Sequence, residues 1–140
     1  TIHELKPALK ALQRGYVDAQ RLLASPSQMQ KFLLRLEEKE EVVRTVGEPL
    51  AAVPVLERLL RWYLDGEYTA ISAAAMAQVV SALLYFVSPW DLYPDSVPGK
   101  GYADDAAVLD CCWKLCQPEL EAYLAWEREQ LVCRNGSAGA

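Results

Sequence analysis

Along most of the chain, apolar residues recur every third or fourth position, and short breaks rich in proline, glycine and serine separate these stretches. That period is helical. Leu5, Leu9, Leu12, Tyr16, Ala19 and Leu23 form the first stripe and predict a helix over 7–24. Ser25-Pro26-Ser27-Gln28 reads as a fresh start, with Ser25 as N-cap, Pro26 in the first turn and Gln28 closing a capping box. The second predicted helix turns Met29, Phe32, Leu33, Leu36, Val43 and Val46 inward and stops at Gly47. Pro49 and Pro54 interrupt the next stretch, so a third helix is expected from Pro54, carrying Leu56, Leu59, Leu60, Tyr63 and Leu64 and closed by Asp65-Gly66. Further helices are predicted over 69–87, 102–116 and 118–133. The tail 134–140 has little to bury and is expected to be disordered. The chain shows no strand alternation and no internal repeat. The expected fold is all-α: one domain over 1–133, a bundle of about six helices with a proline-braced loop between the fourth and fifth.

The fourth helix stands apart. From Tyr68 to Trp90 no residue carries a charge. A helix that is apolar on every side is either the centre of a bundle or a membrane span, and a run of about 20 residues is long enough for either. Alanines at 70, 73, 74, 75, 77 and 82, acidic flanks at Glu67 and Asp91, and the absence of a Lys/Arg cluster favour the core.

Hydrophobic residues make up 52% of the 140, enough for a packed interior. The net charge of −5 opposes nucleic-acid phosphates, so no nucleic acid is expected as partner. The same charge suits a basic protein. The acidic run Glu37, Glu38, Glu40 and Glu41 is the candidate docking face, against the simpler reading of a solvated helix surface. No signal peptide is visible, and three of the four cysteines, Cys111, Cys112 and Cys116, crowd one helix. With Cys133 they read as reduced core residues of a cytoplasmic protein, and a Cys116–Cys133 bridge is the alternative in an oxidising compartment.

The chemistry-bearing segment comes directly after the fourth helix. It contains Ser88, Pro89, Asp91, Pro94, Asp95, Pro98 and Gly101, then Asp104 and Asp105 at the next helix start. Ser88 to Asp91 has capping-box form, and Asp104 and Asp105 suit the positive end of a helix. If the segment folds back, Asp91, Asp95, Asp104 and Asp105 are the candidate cation ligands. An EF-hand count from Asp91 fails, with Tyr93 third, Ser96 sixth and Tyr102 twelfth. Caps account for the aspartates without a metal or any other cofactor. Asp105 shares a helix face with Leu109, Cys112 and Cys116, and so is expected to be buried, either as a staple bonded to loop amides or as a perturbed acid in a cleft. Asp110 and Lys114 fall on the opposite face, at pairing distance. The one histidine, His3, is remote from every cysteine, so no Cys-His pair is supported. Cys112 and Cys116 offer two corners of a zinc site and no more.

The order of Ala82-Leu83-Leu84-Tyr85, Ser88-Pro89, Asp91-Leu92, Pro94-Asp95, Pro98, Gly101-Tyr102 and Asp104-Asp105-Ala106-Ala107-Val108 resembles the YkvA-like domain, a bacterial family of unknown function. The resemblance covers 66–127 and leaves the first two helices outside it. Trp90, Tyr93 and Ser96 make this loop more polar than the family's. The resemblance implies a fold and no reaction. The expected function is a non-enzymatic helical interaction module that binds another protein, with an inhibitor or immunity protein against a basic toxin or nuclease as its narrower form. The rivals are a membrane-associated protein acting through 69–87 and the loop, and a small metal-dependent enzyme built on the aspartates.

Overall fold

The computed structural model describes the backbone of residues 2–87 and 103–139, and the side chains of 7–87 and 105–133. The described residues form seven α-helices: α1 (Ile2–Ala24), α2 (Pro26–Glu38), α3 (Glu40–Val46), α4 (Ala52–Leu64), α5 (Ala73–Val87), α6 (Ala103–Leu115) and α7 (Gln117–Gly139). A 3₁₀ turn, Glu48–Leu50, joins α3 to α4. The all-α bundle is as the periodicity predicts.

The centre is α5. It packs against α1, α6, α4 and α2, and Ala75, Met76, Ala77, Val79, Val80, Ala82, Leu83, Tyr85 and Phe86 are all buried along it. Its uncharged sequence is therefore covered by the amphipathic helices, as a core helix requires. The tightest approach is between α1 and α5. A Cβ added at Gly15 would lie 2.6 Å from Ser81 Oγ, and that buried hydroxyl donates to the Leu12 carbonyl at 2.8 Å. Ala8, Ala11 and Ala19 extend the same close-fitting surface along α1.

The boundaries differ from the sequence expectation in ways with local causes. The helix predicted over the second stripe is broken at Lys39, which gives seven helices rather than six. Lys39 leaves helical geometry (φ −97°, ψ 4°), and its ammonium donates to the Phe86 carbonyl at 3.0 Å while lying 5.1 Å from the centre of the Phe86 ring. The break thus lets a lysine cap the C-terminal end of α5, where a cation is favoured. At the other end, α5 starts at Ala73 rather than near Thr69, because Ser72 Oγ accepts from the Ala75 amide at 3.1 Å and so acts as the N-cap.

Helix α1 begins before Pro7, which removes only one hydrogen bond near a terminus whose first amides are unpaired anyway. Helix α4 likewise starts at Ala52, with Pro54 accommodated in its first turn. Gly47 (φ 79°) and Gly66 (φ 78°) come after α3 and α4 in left-handed geometry, at the two stops that the sequence predicts. The tail 134–140, expected to be disordered, is helical through Gly139. Once α7 is formed, each added residue gains a hydrogen bond without a new nucleation cost.

Helix α7 is held by aromatic contacts and one polar network. Tyr68 and Tyr123 meet edge-on at 5.3 Å, and Trp126 lies 5.4 Å from Trp62 and 4.8 Å from Tyr68. Beside them Arg58 of α4 grips Glu127 through two bonds of 2.8 and 3.0 Å, and Tyr123 donates to the same carboxylate at 2.6 Å.

Candidate functional site

Ser88, Pro89, Asp91, Pro94, Asp95, Pro98 and Gly101 lie outside the described residues. What is described is the pair of anchors on either side of them. The end of α5 is capped by Lys39 through Phe86. The start of α6 carries Asp104 in its first turn and Asp105, whose side chain is only 5% exposed. Asp105 is thus buried as its helix face predicts. Asp110 lies on the outer face and pairs with Lys114 at 3.0 Å. Among the described residues, no three His, Cys, Asp or Glu side chains gather as a metal site would require.

The acidic residues Glu37, Glu38, Glu40 and Glu41 do not form an open negative face. Glu37 accepts from Arg61 at 3.0 Å, and Glu41 accepts from Arg44 at 2.6 Å. Glu38 is exposed on α2. Glu40 lines a groove between α3 and α4, with a volume of about 290 Å³. Leu36, Val43, Val53 and Pro54 give the groove apolar walls, and Arg44, Glu57, Arg58 and Arg61 rim it. Two of the four carboxylates are therefore bound to arginines of the same rim. The sequence shows the acidic run but not its neutralisation, since Arg61 is 24 residues from Glu37.

The rim is fixed from below. Arg61 also bonds Glu57 at 3.0 and 3.1 Å, and Arg58 is held by Glu127 of α7. The hydrogen bond from Arg58 keeps the Glu127 carboxyl below its ordinary range. Burial, then the bond to Glu127, pushes the Tyr123 phenol up.

A second groove, of about 500 Å³, lies where α1, α5 and the α6–α7 junction meet. Tyr16, Ser72, Gln78, Cys116 and Glu119 supply its polar lining. Glu119 is seated by bonds to the Ser72 amide at 2.9 Å and to its hydroxyl at 3.1 Å. All four cysteines are free thiols. Cys111, Cys112 and Cys116 are buried as expected, whereas Cys133 is exposed rather than part of the core, because α7 carries it beyond the packed body.

Residues 75–109 match the family model described as a protein of unknown function (DUF1232). The matched span runs from the first turn of α5 to the middle of α6. Over 69 residues the chain is 38% identical to the "uncharacterized membrane protein YkvA" of Bacillus subtilis (strain 168). This part of the chain is YkvA-like. The alignment covers 49% of the chain and 65% of the Bacillus protein. No solved structure matches the chain. The matched residues 75–109 take in all but the first two residues of the central helix and include the buried Asp105, whereas the α3–α4 groove lies wholly outside them. The Bacillus relative is called a membrane protein by name; among the described residues of this chain, no helix is long and apolar enough to cross a membrane.

Proposed function

We propose that the chain is a non-enzymatic helical interaction module, and that the α3–α4 groove receives a segment of another protein. The observation that carries this reading is the make-up of the groove: an apolar floor with a rim of paired arginines and glutamates. Protein interfaces have this anatomy, with a desolvated apolar centre, a charged rim and an excess of arginine. Val43 is half-buried and ready to be covered by an incoming apolar side chain. The narrower form, inhibition of or immunity to a basic toxin or nuclease, draws on the net charge of −5 and on Glu38 and Glu40, the two acidic residues of the run that bond no rim arginine.

The test is capture from the native cell with the wild-type chain, with Val43→Arg, and with Lys10→Glu on the exposed surface of α1. A protein retained by wild type and Lys10→Glu but lost by Val43→Arg supports the groove. Equal recovery by all three overturns it.

A second reading, peripheral association with membranes, is favoured by the name of the Bacillus relative. Vesicle flotation separates the two. Co-flotation of the chain with anionic vesicles, unaffected by Val43→Arg, favours the membrane over the groove.

A further inference from the structure

We propose that the second groove is a binding site for a small primary amine, an ammonium group on a short apolar chain. It shares no residue with the α3–α4 groove. Three observations converge on it. The first is a fixed negative charge without a counterion. The Glu119 carboxylate is seated by the Ser72 amide at 2.9 Å and the Ser72 hydroxyl at 3.1 Å. Both donors are neutral, and among the described residues no lysine, arginine or histidine pairs with Glu119. Lys114, the cation nearest to it in sequence, is taken by Asp110 at 3.0 Å. The second is an acceptor without a donor. Gln78 Oε1 is shielded from water and meets no donor among the described residues. Buried acceptors are nearly always bonded, so an unbonded one marks the place of a missing donor. Gln78 lines the groove and is half-buried, and the terminal torsion of a glutamine is soft, so a small rotation turns the oxygen toward a donor there. The third is the apolar wall. Ala74, Ala75, Pro118 and Leu115 supply it, and Leu115 is left 52% exposed.

These features select one chemistry. An incoming anion would meet the charge of Glu119. A metal ion would find too few ligands, since no three His, Cys, Asp or Glu side chains gather among the described residues. An ammonium group brings three donors and a positive charge, and needs acceptors only. An alkyl chain behind it covers Leu115 and the alanines, which removes apolar surface from water. Cys116, though it lines the groove, is buried with its thiol on the Ala75 carbonyl at 3.9 Å and takes no part. The groove volume of about 500 Å³ falls in the range of small-molecule sites, which favours a free amine over the lysine side chain of another protein.

The experiment is a titration of the isotope-labelled full chain with n-hexylamine near pH 7, followed by NMR amide shifts. The expected result is a saturable shift centred on Ser72, Gln78 and Glu119. Hexylamine should bind at least about tenfold more tightly than hexan-1-ol or hexanoate, because it alone forms a charge-assisted bond. Glu119→Gln, which keeps an acceptor for Ser72, should remove the margin over hexan-1-ol. Gln78→Leu should weaken hexylamine binding about threefold or more, yet leave the urea midpoint equal or higher, since it deletes a buried acceptor that has no donor. A glutamine that serves only the fold would do the reverse. Leu115→Ala, at an exposed position, should shrink the gain in affinity from methylamine to hexylamine.

The absence of a saturable shift, or equal affinities for hexylamine and hexan-1-ol, overturns the site. A margin that survives in Glu119→Gln overturns the role of the carboxylate, and binding unchanged in Gln78→Leu overturns that of the amide. Nα-acetyl-lysine methylamide binding as tightly as hexylamine overturns the free amine as ligand, in favour of a lysine side chain.

Discussion

Asp105 shows how much a single position on a helix face decides. It sits in the first turn of α6 and is 5% exposed, while Asp110 on the same helix is open to solvent and paired with Lys114. A carboxylate retained inside a packed core is retained by its hydrogen bonds, so its loss strands buried donors. Asp105→Ala is therefore expected to lower stability by about 2–4 kcal/mol, and Asp110→Ala by less than about 0.5 kcal/mol. Urea melts of the two variants and the parent check this, and equal midpoints would contradict it. Burial of Asp105 was legible in the sequence because it depends only on angular position along one helix. The bond between Glu37 and Arg61, the seating of Ser72 by Glu119 and the inward turn of Lys39 were not. Each joins segments far apart along the chain, at separations of 24, 47 and 47 positions, and periodicity within one helix says nothing about which segments meet.

At the scale of the element, all the predicted helices were found and their ends shifted. Glycine stops were legible because Gly47 and Gly66 adopt positive φ, which is a local requirement. The break at Lys39 was not, because it answers a tertiary demand from the end of α5. Helix α7 illustrates a second such demand. It is tied to α4 by Arg58 and Glu127, and the Arg58 bond holds that carboxyl below its ordinary value of 4.5. A depressed folded-state value means that the fold favours the ionised form. Its contribution is complete above about pH 4.5 and is lost as the pH falls through the lower folded value. Wild type and Glu127→Gln should therefore differ most in urea midpoint near pH 7 and converge toward pH 3. A difference that persists unchanged at low pH would show that the charge of Glu127 contributes nothing.

For the whole molecule, the informative contrast is between an uncharged central helix and the absence of any described helix fit to cross a membrane. Helix α5 spans 15 residues, short of the roughly 20 that a bilayer core needs, and its neighbours cover it. This chain, expressed alone, is accordingly expected to leave the membrane fraction in alkaline carbonate without detergent. Recovery only after detergent extraction would mean that α5 leaves its cover. Fold class was legible at this scale because composition and period agree on helices throughout. The α3–α4 groove was only half legible: its acidic residues stood out, whereas the apolar floor is assembled from three helices, with Leu36 from α2, Val43 from α3 and Val53 and Pro54 from α4.

The contact between Gly15 and Ser81 has a consequence for how the chain is made. Ser81 bonds Leu12 across 69 positions, so the surface of α1 that receives α5 emerges from the ribosome long before its partner. At about 5–20 residues per second, that interval is about 3–14 seconds. During it the face of α1 shows mainly small residues, Ala8, Ala11, Gly15 and Ala19 around a single Leu12, which attract other chains less than the uninterrupted apolar surface of α5 would. The strongly apolar α5 arrives after α1, α2 and α4, three of the four helices that cover it. Reversing that order, by a circular permutation that puts 66–139 ahead of 2–65, would leave α5 uncovered for the same interval. Such a permuted chain should aggregate during synthesis yet, once refolded from urea at low concentration, recover the melting behaviour of the parent.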